Sequence, residues 1–239
     1  EPKLVDLIRT LLDETPIERI RLGSLDPAEI TPGILELFAS EPRLCPHVHF
    51  SLQSAYGKIL KLMKRKYTPE MAQDRLQSLA RLPRQVFVGM DVITGFPGET
   101  DADFEDSYTK LVEWPWSRLH VFPYSERQGT PATRLPGAIR PEVRAERAER
   151  LRRLSDQRLH QIYEAAVQAG QVGEVLWEGR GRDRVEGREG WTGHTPGYLR
   201  VWMPAEEAGL IRNRVSDFRV SGLHFDPAAG EYRLLGSIS

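Results

Sequence analysis

The sequence DVITGFPGET, residues 91–100, decides the fold, because in it a buried strand runs into a loop that needs unusual backbone freedom. Apolar, strand-forming residues surround Asp91 and lead directly to Gly95, and Pro97 and Gly98 follow in the loop. Glycine is the residue that most readily lets a chain turn sharply or approach a ligand closely. The stretch is therefore either an ordinary strand-to-helix turn or the rim of a ligand site.

Strands and helices alternate on both sides of this stretch, up to about Pro136. Short apolar runs predict strands at 17–25, 45–52, 86–94 and 118–124. Amphipathic runs predict helices at 32–38, from Gly57 onward, and at 101–114. This alternation favours a parallel sheet or barrel covered by helices. Ligand-binding groups in such folds gather at the carboxyl ends of the strands, and those ends are rich in small and polar residues here.

A long helix is predicted at 141–169, with Pro141 in its first turn and Gly170 at its C-cap. Its arginines form either a solvated face with Glu–Arg pairs one turn apart or a contact surface for RNA phosphates. After Gly170, short strands separated by Gly, Pro and Asn predict a small antiparallel barrel. The domain boundary is expected at 165–172. The predicted parts are 1–140, 141–169 and 170–239.

The composition excludes several classes of protein. The 239 residues carry a net charge of -1, so no global attraction to nucleic acid or membrane is expected. A single cysteine, Cys45, excludes an internal disulfide and suits a reducing cytosol. No long uncharged apolar run and no signal peptide are present, which predicts a cytoplasmic protein without a membrane partner. A helical pattern already runs from Leu4, so the chain is expected to be a fragment.

Three histidines on the predicted strands allow a metal site. Cys45, His47 and His49 alternate along one strand and so share a face, and His120 lies near the start of the fourth strand. Two imidazoles at this spacing can bind one cation. The competing interpretation is that these histidines are polar residues of a barrel core. It is favoured because metal sites in enzymes normally include a carboxylate ligand, and Asp91 is the one carboxylate on these strands.

Other polar residues lie where a ligand would bind. Asp91 is costly to bury unless it is paired, so it either contacts a ligand or forms a structural salt bridge. Gln53 and Ser54, at the end of the second strand, suit contact with a ribose or an amino-acid group. Four cations beside Tyr67 form either a solvated turn or a phosphate contact: Lys61, Lys64, Arg65 and Lys66.

Several segments together resemble one family. They are DVITGFPGET, HVHFSLQSAYGKILKLMKRKYT and LHVFPYSERQGTPATRLPG. They are similar to the radical S-adenosylmethionine (SAM) methylthiotransferases that modify tRNA or a ribosomal protein, and 170–239 resembles the family's RNA-binding TRAM domain. The resemblance implies an α/β fold, a partial (β/α) radical SAM barrel followed by a small antiparallel, TRAM-like β-barrel. Within the family, the sequence looks most like the bacterial branch that methylthiolates N6-threonylcarbamoyladenosine beside the tRNA anticodon.

The resemblance implies a reaction and its cofactors. In the family, a [4Fe-4S] cluster held by three cysteines cleaves S-adenosyl-L-methionine, and a second cluster supplies the sulfur that enters carbon 2 of the adenine. The implied partners are the tRNA anticodon stem-loop and the N-terminal remainder of the same protein. Because one cysteine cannot hold a cluster, the ligands of both clusters are expected to be absent from this chain. The chain alone is therefore expected to be inactive.

The resemblance also implies which residues bind S-adenosylmethionine. Arg65 is expected to pair with the methionyl carboxylate, and Gln53 and Ser54 to face the sulfonium and ribose. Segments 92–95 and 122–124 are expected to border the adenine. The implied cofactor-binding residues are Ser24, Gln53, Ser54, Arg65, Asp91, Val92, Gly95, Phe122 and Tyr124. No catalytic residue and no metal ligand is implied.

Local details add to these expectations. Where the family has an LQSGSD-like run this chain reads LQSAYG, and Ala55 and Tyr56 argue against ligand contacts there. Gly95 and Gly98 are expected to let the backbone turn beside the S-adenosylmethionine. Glu99 is expected to fix that loop through backbone N–H groups rather than to act in catalysis.

Other functions remain open from the sequence. One is an RNA-binding module with a non-catalytic barrel, and another is a metal-dependent hydrolase built on the three histidines. Within the family, branches that act on isopentenyladenosine or on a ribosomal protein also remain open.

Overall fold

The chain divides into two compact units, Glu1–Asp156 and Gln157–Ser239. The computed structural model describes residues 3–205, 212–227 and 229–238, with the backbone alone at 171 and 181–183. The first unit contains α1 (Leu4–Glu14), β1 (Ser24–Leu25), α2 (Pro32–Ser40), β2 (His47–Gln53), α3 (Gly57–Leu62), α4 (Pro69–Ala80), β3 (Phe87–Thr94), α5 (Asp101–Glu113) and β4 (Arg118–Pro123). Then follow α6 (Pro141–Ala169), β5 (Gln171–Val185), β6 (Arg188–His194), β7 (Arg200–Pro204), β8 (Val215–Asp226) and β9 (Glu231–Ile238).

The first unit is built on a parallel sheet whose four strands lie in chain order, β1-β2-β3-β4. Each neighbouring pair is parallel, with His49 beside Gly89 and Asp91 beside His120. Parallel neighbours need a crossover connection, which the helices supply. The predicted α/β class, a parallel sheet with helices, is confirmed.

Threonine determines where three of the helices begin. Thr31, Thr68 and Thr100 each accept a hydrogen bond from the backbone N–H three residues on, at 3.4, 3.3 and 3.2 Å. Each bond satisfies one donor that a helix start leaves without a partner. Pro32 and Pro69 follow two of these caps, at a position where a missing N–H costs nothing.

The first predicted strand is mostly not a strand. Of residues 17–25, only Ser24–Leu25 pairs continuously with β2, and Ile20 makes a single bridge to Leu44. Ile20 and Leu22 are nevertheless buried. The apolar pattern therefore reported burial correctly, but burial alone does not establish a hydrogen-bonded ladder.

The helix predicted from Gly57 onward is two helices. Helix α3 ends before Lys64, whose φ of +56° is left-handed and cannot continue an α-helix. Helix α4 then begins at Pro69, after its Thr68 cap. The break creates a basic turn beside the sheet.

The two faces of the sheet differ in environment. Leu52 on β2 and Met90 and Val92 on β3 are buried in the hydrophobic core. Gln53 and Asp91, at the alternate positions, are half-buried. Successive side chains of a strand point to opposite faces, so polar residues of β2 and β3 share the less buried face.

Helix α6 is 29 residues long, and its first part packs on the parallel sheet. Leu151 lies in the sheet's core, and Ser155 Oγ accepts a hydrogen bond from the backbone N–H of Leu119 at 2.9 Å. The division between the units therefore follows Asp156, inside the helix, whereas the sequence predicted a boundary at 165–172. In the described part of the chain, no helix is both long and apolar enough to span a membrane.

The arginines in the first part of α6 bind protein groups. Arg153 forms an exposed pair with Glu149 one turn away, with N and O 4.0 Å apart, as predicted for a solvated face. Arg144 and Arg147 are instead buried in contacts with other elements. The prediction of a wholly solvated or RNA-facing surface is wrong for these two residues, because the helix docks on the sheet.

The second unit is a closed five-stranded barrel in the order β5-β6-β7-β9-β8. Strands β7 and β9 are parallel, with Val201 beside Leu234, and the other neighbouring pairs are antiparallel. Five strands cannot alternate in direction around a closed ring, so one pair must be parallel. Trp177, Met203 and Phe218 are buried in the unit. The predicted small β-barrel is confirmed, apart from this parallel pair.

Candidate functional site

A cavity of about 660 Å³ lies at the carboxyl ends of β2, β3 and β4. Its walls come from these strand ends, from the turn after α3 and from the segment after β4. The lining residues are Gln53, Leu62, Met63, Lys64, Arg65, Asp91, Ile93, Phe96, Phe122, Pro123, Tyr124, Ser125, Arg127, Thr130, Pro131 and Ala132. Volumes of this size are typical of small-molecule sites.

Some of the predicted cofactor-binding residues line this cavity. They are Gln53, Arg65, Asp91, Phe122 and Tyr124. The fold brings them together from three strand ends and one turn, although they are far apart in sequence. Their contact with a cofactor stays a prediction.

The other predicted residues lie outside the cavity lining. Ser24 is exposed on β1. Ser54 is buried, and its Oγ accepts the backbone N–H of Tyr56 at 3.1 Å. Val92 is 2% exposed in the hydrophobic core, because its neighbour Asp91 takes the cavity face. Gly95 lies in the turn after β3.

Gln53 reaches the cavity through an unusual backbone conformation. Its φ of +63° is left-handed, and the pairing of β2 with β3 shifts register between Phe50 and Gln53. Tyr67 supports this strand end by donating its hydroxyl to the carbonyls of Ser51 and Leu52, at 2.6 and 2.9 Å. Burial raises the pKa of Tyr67, so the hydroxyl stays protonated as a donor.

Arg65 is paired with a carboxylate of the same chain. Its Nη1 lies 3.2 Å from Asp26 Oδ1, and the two side chains are 31% and 37% exposed. A pair this exposed contributes only about 0–1 kcal/mol to stability. Arg65 can therefore exchange Asp26 for the carboxylate of a ligand at small cost.

Asp91 makes the structural contact that the sequence left open, and its role as a ligand contact stays a prediction. His49 Nε2 lies 2.9 Å from Asp91 Oδ1, a structural contact that is an ion pair only when His49 is protonated. Asp91 also lines the cavity, so it remains accessible to a ligand. One carboxylate can do both, because it has two oxygens with several acceptor positions.

The histidines do not form a metal site of the predicted kind. Within the described ranges, no group of three or more His, Cys, Asp or Glu side chains could hold a metal ion. His47 stacks on Phe87, with ring centroids 5.8 Å apart. Burial, helped by Arg21 and His49, lowers the pKa of His47 to about 3. The hydrolase interpretation therefore has no support from the structure.

Arg144 of α6 fills the space beside Gly95, where the sequence predicted that a ligand would approach. A Cβ at Gly95 would clash with Cγ of Arg144 and lie 3.3 Å from its Cα. The guanidinium donates to the carbonyls of Tyr124 and Ile139 at 2.9 and 2.7 Å and to Glu126 Oε1 at 2.5 Å. Gly95 is required for two reasons: its φ of +71° is left-handed, as the predicted turn needs, and the packed helix leaves no room for a Cβ. Its contact with a cofactor stays a prediction.

Glu99 fixes the loop after β3, as predicted. Its Oε2 accepts the backbone N–H of Gly95 at 2.7 Å and Arg147 Nη1 at 2.6 Å. The side chains of Glu99 and Arg147 are only 4% and 6% exposed. Burial raises the pKa of Glu99, while the Gly95 N–H and Arg147 oppose that rise. Because Gly95 and Arg147 both have structural roles, the contacts of Glu99 support the conformation of the loop after β3.

The cavity lining contains both aromatic and basic side chains. Phe96 packs edge-on against Tyr124, with ring centroids 5.2 Å apart, and Phe122 is 51% exposed. The lining cations are Lys64, Arg65 and Arg127. Aromatic faces suit a planar base, and the cations suit an anionic group. A ligand with both parts therefore fits this arrangement.

Several residues of the segment after β4 line the cavity although they were not among the predicted cofactor-binding residues. Arg127, Thr130 and Pro131 line the cavity, and a short 3₁₀ helix, Pro131–Arg134, shapes this segment. Small and polar residues marked the segment as a rim, but it has no periodicity that predicts which side chains point inward.

The departures at Ala55 and Tyr56 lie away from the cavity lining. Ala55 is fully buried, and its backbone N–H donates to Ser107 Oγ at 3.3 Å. Lys110 Nζ lies over the Tyr56 ring, 5.6 Å from its centroid.

Comparison with known proteins identifies the family. Residues 1–111 match the Radical SAM superfamily. The chain is 38% identical over 185 residues to the threonylcarbamoyladenosine tRNA methylthiotransferase of Bacillus subtilis, a match that covers 77% of this chain and 40% of that protein. The chain belongs to the radical SAM methylthiotransferase family. The family predicted from the motifs is thereby confirmed.

Other radical SAM methylthiotransferases give similar matches. The threonylcarbamoyladenosine tRNA methylthiotransferase of Rickettsia prowazekii is 39% identical over 178 residues, 74% of this chain and 42% of that protein. The tRNA-2-methylthio-N(6)-dimethylallyladenosine synthase of Wolinella succinogenes is 35% identical over 192 residues, 80% of this chain and 43% of that protein. The chain thus spans about two fifths of the length of the curated methylthiotransferases it matches.

Proposed function

We propose that this chain is part of a tRNA methylthiotransferase and that its cavity binds S-adenosylmethionine. The observation that carries the proposal is an aromatic and basic cavity at the strand ends of a chain 38% identical to a tRNA methylthiotransferase. The residues fit the cofactor: an adenine can stack on an aromatic side chain, and a methionyl carboxylate can pair with a cation.

In this proposal each polar residue has a defined task. Arg65 exchanges Asp26 for the methionyl carboxylate, and Asp91 accepts a hydrogen bond from a donor group of the cofactor. Gln53 offers an amide beside them, and Tyr124 and Phe122 border the adenine. Bound S-adenosylmethionine supplies the methyl group and the radical chemistry. The residues of this chain bind it, orient it and exclude water.

The described residues do not fit an iron-sulfur cluster. Cys45 is the only cysteine in the sequence and is 2% exposed, and a cluster of this type needs several thiolate ligands. We therefore propose that both [4Fe-4S] clusters are held by a part of the protein outside this chain. No step of the reaction is assigned to Cys45.

The proposed substrate is N6-threonylcarbamoyladenosine in the anticodon stem-loop of a cytoplasmic tRNA. Two of the relatives named above carry this substrate in their names. The dimethylallyladenosine-modifying enzyme at 35% identity supports a second candidate substrate.

Nucleoside mass spectrometry tests the proposal. The full-length protein is expressed in bacteria that lack both methylthiotransferase activities, and their tRNA is digested and analysed. We expect 2-methylthio-N6-threonylcarbamoyladenosine to appear. Appearance of the 2-methylthio-dimethylallyl nucleoside instead would overturn the substrate, and absence of both would overturn the function.

Arg65→Met should weaken the use of S-adenosylmethionine by the full-length enzyme. Loss of a charge-assisted hydrogen bond to the methionyl carboxylate is expected to raise the KM for S-adenosylmethionine by about tenfold. Arg9→Met is the matched control, because Arg9 forms an exposed pair with Glu36 on α2, outside the cavity lining. An unchanged KM in Arg65→Met would reject the assigned role.

A further inference from the structure

Three polar side chains from neighbouring strands meet beneath the cavity. His49 on β2, Asp91 on β3 and His120 on β4 share the less buried face of the sheet. Asp91 is the register partner of His120, and the His49 and His120 rings are 5.1 Å apart. Of the three, Asp91 lines the cavity, whereas the two histidines do not. The two imidazoles therefore lie beside Asp91 on the same face of the sheet, outside the cavity lining.

His49 is held in a slot that suits it to orient Asp91. Its register partner across the sheet is Gly89, and a Cβ at Gly89 would lie only 2.9 Å from His49 Nδ1. The ring therefore occupies the space above Gly89, and Nε2 reaches Asp91 Oδ1 at 2.9 Å. A side chain at Gly89 would therefore force the imidazole to shift from the position in which it contacts Asp91.

The other two histidines on this face add no charge next to Asp91, and the cations nearby are Arg118 on β4 and Arg65 in the cavity lining. Burial chiefly lowers the pKa of His120, helped by Arg118 and His49 and opposed by Asp91, so His120 is neutral near pH 7. His47, the next residue on this face of β2, is neutral for the same reason. His49 is thus the basic side chain that contacts the Asp91 carboxylate.

We propose that His49 is a positioning residue that holds one oxygen of Asp91, so that the other oxygen faces the ligand in the cavity. This inference rests on the proposed binding of S-adenosylmethionine, whose hydroxyl or ammonium donors are the groups that a carboxylate accepts. His49 touches neither cofactor nor substrate. Gly89 is part of the same arrangement, because the absence of a side chain at this position leaves space for the His49 imidazole.

Substitutions in the full-length protein test the inference, with S-adenosylhomocysteine as the calorimetric probe and the melting temperature measured in parallel. Loss of a hydrogen bond to a carboxylate predicts about tenfold weaker binding for Asp91→Asn, His49→Ala and Gly89→Ala. His49→Gln is expected to bind within about threefold of the wild type, because its amide N–H can replace Nε2–H. His160→Gln, on α6 and paired with Glu164, is the matched control.

A double substitution separates positioning from general stability. In the Asp91→Asn background, His49→Ala should weaken binding no further, because the carboxylate that it orients is gone. Additive losses, or a lower melting temperature with unchanged affinity, would overturn the inference. Equal losses in His49→Gln and His49→Ala would overturn it as well. If the wild type itself does not bind the probe, it is the proposed cofactor site that fails.

Discussion

Gly95→Ala is expected to lower the free energy of unfolding by about 2–5 kcal/mol, although it adds a single methyl group. Two costs combine. Gly95 has φ of +71°, which an L-residue with a side chain adopts only with strain. The new Cβ would also clash with the Arg144 side chain, whose guanidinium is fixed by Tyr124, Glu126 and Ile139. Chemical denaturation of the isolated chain measures the loss.

Gly129→Ala is the matched control for this prediction. Gly129 has a similar φ of +82°, but a Cβ there would meet nothing within 4 Å. Gly129→Ala should therefore lower the free energy of unfolding by only the cost of a side chain at positive φ, about 1–2 kcal/mol. If Gly95→Ala costs no more than Gly129→Ala, the packing of Arg144 against β3 is not what requires glycine.

Arg147→Met is expected to lower the free energy of unfolding by about 3–5 kcal/mol, because it leaves a buried carboxylate without its cation. Arg147 and Glu99 are nearly inaccessible to solvent, and Glu99 also holds the backbone N–H of Gly95. Arg153→Met, on the same helix, removes only an exposed pair with Glu149 and should cost less than about 1 kcal/mol. Similar losses in the two variants would contradict the buried-pair interpretation.

The loss in Arg147→Met should depend on pH. The folded-state pKa of Glu99 is already raised by burial, and removing Arg147 removes a group that lowers it. An acid with a raised folded pKa favours the folded state below its unfolded pKa, and this contribution is lost as pH rises through the folded pKa. The variant should therefore be less impaired at pH 4 than at pH 8. A loss independent of pH would show that Glu99 is not the group left uncompensated.

The fold was predictable where the residues at the ends of a helix or strand determine its boundaries. Strand β3 ends at a glycine turn, and Thr100 then caps α5, so both boundaries were set locally. The apolar pattern around Ile20 predicted burial correctly, but it contained no information on hydrogen bonding to a neighbouring strand. The strand predicted at 17–25 is therefore mostly absent. The parallel contact of β7 with β9 follows from closing a ring of five strands, a count that local patterns do not supply.

The site was predictable in outline for a similar reason. Residues at strand ends gather at one edge of a parallel sheet, so Gln53 and Asp91 were expected together. The alternation of side chains already turned Val92 to the opposite face from Asp91. The turn at Gly95 was predictable, but the packing of Arg144 against it was not, because Arg144 lies 50 residues beyond the end of β3 and no local pattern links them. The segment after β4 lacks periodicity, and its inward residues stayed unassigned.

The strand order of the second unit has a consequence for the protein during its synthesis. Strand β9 lies between β7 and β8, so the ring stays open until Glu231–Ile238 has been made. Until then the nascent sheet ends in two unpaired edges, which are templates for pairing with another chain. At translation rates of about 5–20 residues per second, the final strand arrives within about a second or two of β8. A released product that ends before Glu231 would leave both edges available to another chain, whereas a product that contains Glu231–Ile238 can pair both.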